Sequence, residues 1–240
     1  MTTQRIDAVW AAFFGLSTPA FLRPGIQVVG HHELAGHHGV WLFRHHASLC
    51  VSVPPDLVAG IQAAAGIYTV DSLFSPAGIR ALLGRRIEQV VGPAYQGYIE
   101  PPNFRPLTRP GVRALAPPDR VHLEQLAEAC GVEAWGHAGI AFDEAHVFGC
   151  FADGRLVAAA RFRSAWCETA HIGVATHPDH RRRHYGSAVV SAASAQALEA
   201  GFIGLYQTLL ENAPSVALAT RLGYRAYASL LAVRLPSEAM

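Results

Sequence analysis

The stretch Val174-Ala-Thr-His-Pro-Asp-His-Arg-Arg-Arg-His-Tyr-Gly-Ser-Ala188 joins a strand-like segment to a helix through a turn at Pro178. Three consecutive arginines, Arg181 to Arg183, stand just before a run of small residues that is typical of a closely packed helix. The free N–H groups and the positive dipole end of a helix N-terminus favour anions. Arginines beside such an end add charge-assisted hydrogen bonds. The stretch therefore predicts an anion site of the kind that holds a phosphate.

The composition sets limits on what surrounds this site. The chain has 240 residues, enough for one large domain or two small ones. Hydrophobic residues make up 51% of it and charged residues 15%, which predicts a large core rather than disorder. The formal net charge is +1, so no basic surplus favours nucleic acid as a partner. No apolar run approaches the roughly 18–20 residues that cross a bilayer, and a soluble cytoplasmic protein without a membrane partner is expected.

The four cysteines are far apart and form no CxxC pair; they are Cys50, Cys130, Cys150 and Cys167. This spacing is typical of free thiols in a reducing compartment, not of a disulfide framework.

The N-terminal hundred residues predict a small α/β domain. The apolar run from Ala8 to Leu16 has some features of a signal peptide. However, apolar residues recur at three- and four-residue steps and Asp7 interrupts the run, which favours an amphipathic helix. Strands are predicted at Ile26–Val29, Val40–Phe43, Leu49–Val53, Ile87–Val91 and Tyr95–Ile99. Helices are predicted after Pro54 and at Ser75-Pro76, where Ser75 would be the N-cap.

Four prolines between Pro101 and Pro110 predict an extended linker at 101–111, because proline fixes φ and removes a donor. The predicted organisation is an N-terminal domain at 1–100, the linker, and a second domain at 112–240. In the second domain we expect strands at Val112–Leu115, His146–Phe151, Leu156–Phe162, Thr169–Thr176, Ile203–Leu209 and Tyr224–Leu235. Helices are expected at Pro118–Cys130, Tyr185–Ala200 and Pro214–Leu222, while Trp135–Ile140 is expected to be irregular. The order βαβββαβαβ predicts a mixed α/β sheet flanked by helices.

The second domain resembles the GCN5-related N-acetyltransferases, the GNAT family. The resemblance lies in the element order, in the loop from His177 to Gly186, in Asn212, and in Leu222-Gly223-Tyr224. The family's pyrophosphate loop reads Arg/Gln-x-x-Gly-x-Gly/Ala. In this register Arg181 leads the loop and Gly186 ends it. His184 replaces the usual first glycine, and Arg182 holds a second position at which glycine is frequent. A two-residue slip to Arg183-x-x-Gly186-x-Ala188 also satisfies the pattern but breaks the register of the turn.

The resemblance implies acetyl-CoA as co-substrate. It places the phosphates at the start of the helix and the pantetheine arm along the preceding strand, which in the family splays from its neighbour. The cofactor-binding residues implied are Val174, Ala175, Thr176, Arg181, Arg182, Arg183, His184, Tyr185, Gly186, Ser187 and Asn212.

Direct acetyl transfer to an amine needs a route for the ammonium proton, a donor for the oxyanion and, in many enzymes, an acid for the thiolate. Glu168, Glu211 and Tyr224 are the catalytic residues proposed from the sequence, with His171 as a further candidate base. A backbone N–H near Val174 to Thr176 is the expected oxyanion donor. The family's usual tyrosine acid corresponds to Ala219, so either Tyr224, Tyr206 or water would replace it, or no acid is used because a thiolate is already a fair leaving group.

Histidines cluster near the N-terminus, in His31-His32-Glu33 and nearby positions. His32 and His37 are five residues apart, one more than the HExxH zinc motif allows, and Gly36 weakens the helix that this motif requires. No metal is therefore expected.

The sequence as a whole favours an N-acetyltransferase that moves an acetyl group from acetyl-CoA to an unidentified small-molecule or peptide amine in a ternary complex. The N-terminal domain would contribute to the acceptor pocket or to the face of a homodimer. A non-catalytic acyl-CoA sensor and a structural domain with an inactive CoA site remain as alternatives, because Ala219 and His184 depart from the family pattern.

Overall fold

The computed structural model describes residues 2–84, 87–141, 146–165 and 168–236. The chain divides into two compact units. Unit 1 comprises Met1–Gln96, Leu209–Glu211 and Tyr227–Met240, and unit 2 comprises Gly97–Thr208 and Asn212–Ala226. The units do not follow one another along the chain, because the C-terminal segment from Tyr227 belongs to unit 1.

The strands are β1 Gly25–Gly30, β2 Gly39–His45, β3 Ser48–Val53, β4 Gln89–Ile99, β5 Val112–Ala114, β6 Val147–Ala152, β7 Arg155–Ser164, β8 Thr169–Thr176, β9 Ile203–Leu209 and β10 Arg225–Arg234. The α-helices are α1 Thr2–Phe13, α2 Thr18–Phe21, α3 Val58–Ala65, α4 Val70–Leu73, α5 Pro76–Leu83, α6 Arg120–Cys130, α7 Val132–Ala138, α8 Tyr185–Glu199 and α9 Ala213–Leu222. Short 3₁₀ turns lie at Pro55–Leu57, Pro101–Asn103, Pro117–Asp119 and Pro178–His180.

Unit 1 is built on strands in the order β1-β3-β2-β10-β4. β1 is parallel to β3, whereas β2 is antiparallel to both β3 and β10. An apolar cluster joins the sheet to α3 and α5, with Leu42, Val51 and Ile79 fully buried in it. In α1, Trp10 is also fully buried, and its ring centroid lies 4.0 Å from that of Phe43. The amphipathic helix predicted there is confirmed.

Unit 2 contains strands in the order β9-β8-β7-β6-β5. β8 is parallel to β9, and the remaining neighbours are antiparallel. The β6–β7 hairpin predicted from Asp153-Gly154 is confirmed; both turn residues have positive φ, which suits a tight turn matched to the strand twist. β8 and β9 begin and end at the predicted residues.

Two predictions of local structure were wrong. One strand, β4 at Gln89–Ile99, replaces the two predicted at Ile87–Val91 and Tyr95–Ile99, because Pro93 does not interrupt it. The region from Trp135, expected to be irregular, belongs to helix α7, which begins after Gly131 and ends at Gly139 in a left-handed conformation. Left-handed glycine is a common helix stop.

The proline-rich segment 101–111 belongs to unit 2, where hydrogen bonds hold it. Its backbone donates from Arg105 to the carbonyl of Leu222 at 2.9 Å and from Leu107 to Ser191 Oγ at 2.8 Å. The predicted linker is therefore anchored to α8 and the end of α9.

Cys50, Cys130 and Cys150 are free thiols, and Cys167 lies outside the described residues. Within the described part of the chain, no helix combines the length and apolar character that crossing a bilayer requires.

Candidate acyl-CoA site

A gap opens between the two parallel strands of unit 2. β8 and β9 pair only from Thr169 opposite Ile203 to Ile172 opposite Tyr206, although both strands continue beyond these residues. On its other side, β8 stays paired with β7 as far as Thr176. The C-terminal half of β8 therefore has one open edge, as the resemblance implied.

The hydrogen-bond pattern of β8 identifies the groups that face this gap. The N–H of His177 donates to Val157 O and the carbonyl of Thr169 accepts from Ala165 N–H, so odd-numbered residues of β8 turn their backbone groups toward β7. Even-numbered residues turn theirs the other way, because paired groups alternate in an antiparallel ladder. Val174 and Thr176 thus present N–H and C=O groups to the gap. Ala175, also proposed as a cofactor residue, has its backbone groups turned toward β7.

Helix α8 starts where the open edge of β8 ends. A 3₁₀ turn at Pro178–His180 reverses the chain, and the first helical hydrogen bond runs from Ala188 N–H to His184 O at 3.1 Å. The N–H groups of Tyr185, Gly186 and Ser187 precede that bond and have no partner within the helix. These are the free donors on which the anion site predicted from the sequence depends.

The residues that replace glycine in the loop adopt conformations typical of glycine. Arg182 has φ +62° and His184 has φ +64°, both in the left-handed region. Such a conformation costs a residue with a Cβ roughly 1–2 kcal/mol. The loop thus keeps the glycine-type backbone path expected from the Arg181-to-Gly186 register, at the expense of some strain.

Gly186 is required because of close packing, not because of its φ. A Cβ at this position would lie 2.8 Å from Thr176 Oγ1 and 3.8 Å from Val174 Cγ2. The missing side chain allows α8 to approach the open half of β8, so the free N–H groups of the helix lie next to the free backbone groups of the strand.

Two arginines distant in sequence join the three in the loop. Arg109 donates to the carbonyl of Arg183 at 3.0 Å, and its guanidinium carbon lies 4.0 Å from the centroid of the Tyr185 ring. Arg221, near the end of α9, approaches His184 Nδ1 to 2.9 Å. Sequence reasoning missed both residues, because neither belongs to the loop motif and only the packing of α9 and segment 101–111 brings them there.

Asn212 lies at the start of α9, where its Oδ1 accepts a hydrogen bond from Ser215 N–H at 3.3 Å. It is the N-cap of this helix, a role for which asparagine is well suited. Its Nδ2 group is not used in this bond. Because β9 and β8 are parallel, α9 starts at the same edge of the sheet as α8.

The three catalytic residues proposed from the sequence are not gathered at the gap. Glu168 is exposed just before β8 and lies six residues from Val174, which is about 20 Å along an extended strand. Its carbonyl accepts from Ile203 N–H, so it stands at the paired end of the two strands. Glu211 is exposed and belongs to unit 1.

Tyr224 is 2% exposed, and its hydroxyl is 2.7 Å from Ser194 Oγ of α8. This placement is that of a core aromatic residue. Ala219, at the family's acid position, is fully buried, so a tyrosine there would have no room without repacking.

His171 lies on the face of β8 opposite to α8. Arg161, which is 1% exposed, donates from Nη1 to the carbonyl of His171 at 3.0 Å and from Nε to Gly139 O at 2.8 Å. Burial, assisted by the charges of Arg161 and Arg163, lowers the pKa of His171 to about 4. The imidazole is therefore neutral at physiological pH.

We expect this burial to make unit 2 sensitive to acid. His171 has an ordinary pKa of 6.5 when unfolded and about 4 when folded, so between these values only the unfolded chain takes up the proton. The free energy of unfolding should fall as the pH is lowered from 6.5 to 4, with His171 accounting for at most about 3 kcal/mol at 1.36 kcal/mol per pKa unit. Urea unfolding at several pH values checks this. The curve for His171→Gln should be flatter over that range, and an identical slope would contradict the assignment.

The N-terminal histidines have structural contacts in unit 1. His31 lies 2.8 Å from Ser52 Oγ through Nδ1 and 2.9 Å from Gly39 O through Nε2. His32 and Glu33 are exposed and 3.7 Å apart. No group of three or more His, Cys, Asp or Glu residues suited to a metal ion occurs within the described ranges.

Comparison with known proteins identifies the domain that contains the gap. Residues 114–224 match the family model described as acetyltransferase (GNAT) family. These residues form a GNAT acetyltransferase domain. The GNAT domain includes β8, the arginine loop, α8, β9 and α9, and hence every element that borders the gap.

Solved GNAT structures share the fold. One from Novosphingobium aromaticivorans has 24% sequence identity and a TM-score of 0.50, covering 63% of this chain and 68% of that one. One from Colwellia psychrerythraea has 15% identity and a TM-score of 0.52, covering 68% and 63%. One from Kribbella flavida has 20% identity and a TM-score of 0.50, covering 67% and 64%. The chain thus spans 63% to 68% of the length of these structures. No curated protein matches the chain.

Proposed function

We propose that the chain transfers an acetyl group from acetyl-CoA directly to an amine, with both substrates bound at once. The observation that carries the proposal is the gap between β8 and β9, which ends at the start of α8. The start of α8 offers free N–H groups, and the open edge of β8 offers free backbone N–H and C=O groups. A molecule with phosphates at one end, amides in the middle and a thioester at the other end matches this order.

The pyrophosphate would bind at the start of α8. The N–H groups of Tyr185 to Ser187 point outward there, and the exposed Arg181, Arg182 and Arg183 supply positive charge. Arg109 and Arg221 border the same helix end. Five arginines close together favour a ligand with several negative charges, since each charge-assisted contact is stronger than a neutral hydrogen bond.

The pantetheine arm would pair with the open edge of β8, as an added strand pairs with the edge of a sheet. The C=O of Val174 and the N–H of Thr176 are available to its amides, whereas the carbonyl of Thr176 lies 3.4 Å from Arg181 Nε. The free amide of Asn212 would support the arm from α9.

The chemistry then needs few side chains. A neutral amine held against the thioester carbonyl attacks it directly, and positioning supplies most of the acceleration. The N–H of Val174 would donate to the developing oxyanion. The proton of the amine would pass through water, since Glu168 stands about 20 Å along the strand from Val174. No covalent intermediate on the protein is required.

Calorimetry with acetyl-CoA, followed by assay of CoA release with a broad panel of amines, tests the proposal. Binding together with release in the presence of an amine supports the acetyltransferase. Binding without release from any amine would favour an acyl-CoA sensor, and absence of binding would refute both.

Replacing Arg181 with alanine is expected to weaken acetyl-CoA binding about tenfold, the effect of losing one charge-assisted contact at an exposed site. Far-ultraviolet circular dichroism should be unchanged, because the side chain is exposed. Arg120→Ala is the matched control, since it removes the same charge from the exposed start of α6. Equal affinities for the two variants would contradict the loop assignment.

A further inference from the structure

The outermost strand of unit 1 has an edge that its own sequence does not protect. β1 ends the order of strands in the described sheet, and it pairs with β3 without a bulge from Gly25 to Gly30. It contains neither a charged residue nor a proline. Charges, prolines and bulges are the features by which edge strands usually prevent another strand from pairing. β1 can therefore accept a further strand.

The hydrogen bonds of β1 show which backbone groups face outward. The N–H of Gly25 donates to Ala47 O at 2.9 Å and the N–H of His31 donates to Val53 O at 2.8 Å, so odd-numbered residues turn their backbone groups toward β3. The even-numbered residues 26, 28 and 30 turn theirs to the open edge, because successive residues of a strand direct their groups to opposite sides. These three residues span about 13 Å, the length of a paired segment of about five residues.

A groove follows this open edge. Its volume is about 470 Å³, within the roughly 300–1,000 Å³ usual for a ligand site, and β1 lines it along residues 25–29. Ala65 and Tyr68 form one wall, on the face of the sheet where α3 packs. Arg23 lies on the other face, where its carbonyl accepts from Gln27 Nε2 at 3.3 Å. The free edge of β1 thus lies between two walls.

The walls favour a single extended peptide over the sheet of a second copy. One added strand can pair with the free backbone groups between the walls, as in other cases of strand addition. A second copy pairing through its own β1 would bring its own flanking helices against the same walls. Every second side chain of an added peptide would face Ala65 and Tyr68, so apolar residues are expected at alternate positions.

The charge of the lining indicates the direction of the peptide. Arg23 is the charged residue among those that line the groove in the described part of the chain, and it precedes the start of β1. A peptide antiparallel to β1 ends beside this start, and antiparallel pairing is slightly more stable per residue than parallel pairing. Its C-terminal carboxylate then lies next to the guanidinium, where a charge-assisted hydrogen bond is favourable.

We propose that unit 1 binds the C-terminal segment of another polypeptide as an added antiparallel strand on β1, with the terminal carboxylate beside Arg23. The inference is independent of the proposed function, because the groove lies within unit 1 and the proposed acyl-CoA site is built from residues of unit 2.

Peptide selection on the full chain tests the proposal. The immobilised chain is presented with a random synthetic library of peptides of about five residues, each with a free C-terminal carboxylate. Selected peptides are remade with a fluorescent label at the N-terminus, either as the free acid or as the C-terminal amide, and binding is followed by fluorescence polarisation. The amide is expected to bind about tenfold more weakly, the effect of losing one charge-assisted contact. Selection of no peptide would overturn the proposal.

Three variants locate the bound peptides. Arg23→Ala should weaken binding of the acid about tenfold and leave the amide unaffected, so that the two forms bind this variant equally. Val28→Pro removes an N–H that faces the open edge, a position at which an edge strand tolerates proline, and should weaken both forms. Arg80→Ala is the matched control, since this exposed arginine of α5 belongs to unit 1 and does not line the groove.

Two results would contradict the proposal. Selected peptides that bind Arg23→Ala as they bind the wild type, with the acid still preferred to the amide, lie elsewhere on the chain. A wild-type chain that is a dimer in solution, and that becomes a monomer in Val28→Pro, would show that a second copy occupies the edge instead of a peptide.

Discussion

Replacing Gly186 with aspartate is expected to weaken acetyl-CoA binding by a factor of about 100 or more. The new Cβ would lie 2.8 Å from Thr176 Oγ1, so either the Thr176 side chain or α8 must move. The carboxylate would also stand among the free N–H groups proposed to hold the pyrophosphate. Like charges in close contact cost several kcal/mol, and each 1.4 kcal/mol is a factor of ten in affinity. Calorimetry with acetyl-CoA gives the result.

Two further variants separate packing from charge. Gly186→Ala introduces only the steric conflict and should weaken binding less than aspartate does. Adding Thr176→Ala to it removes the conflicting hydroxyl and should restore part of the affinity. Gly60→Ala is the matched control, because this glycine of α3 has no heavy atom within 4 Å of the added Cβ. If Gly186→Asp binds acetyl-CoA as the wild type does, the phosphate site lies elsewhere.

Gly173→Ala is expected to have the largest effect on stability. Its Cβ would fall 1.9 Å from the carbonyl oxygen of Ala138 and 3.3 Å from Arg161 Nε. The end of α7 rests directly on β8 here, and neither the helix carbonyl nor the strand can move without disturbing Arg161. Overpacking of this kind costs about 3 kcal/mol at the upper end of its usual range. The midpoint of urea unfolding should fall accordingly.

Gly136→Ala provides the contrast within the same helix. A Cβ at Gly136 meets no heavy atom within 4 Å, and alanine favours a helix over glycine by up to about 1 kcal/mol. This variant should be as stable as the wild type or more stable. A Gly173→Ala protein that unfolds at the wild-type urea concentration would show that α7 does not rest on β8.

The sequence predicted those parts of the GNAT domain that depend on neighbouring residues. The bounds of β8 and β9, the β6–β7 hairpin and the start of α8 follow from periodicity, turn residues and small-residue content, all of which act within a few positions. The sequence also supplied the preferred register of the arginine loop. Its consequence, that Arg182 and His184 must take left-handed φ, is a local backbone requirement.

The positions of the proposed catalytic residues depended on contacts between segments that are far apart in the sequence. Glu168 was an attractive base because of its position before the central strand, but an extended strand carries it far from the gap. Tyr224 and Tyr206 looked equivalent as sources of a hydroxyl. Only their contacts distinguish them, since Tyr224 bonds to Ser194 of α8 whereas Tyr206 bonds to Ser215 of α9.

By itself, then, the sequence determined the strand, loop and helix that would form the proposed anion site, because their signals are local. The tertiary structure decided where β8 and β9 stop pairing and which arginines join Arg181. These depend on pairing and packing between segments tens of residues apart. No periodicity or turn preference encodes such contacts, and only the folded chain brings them together.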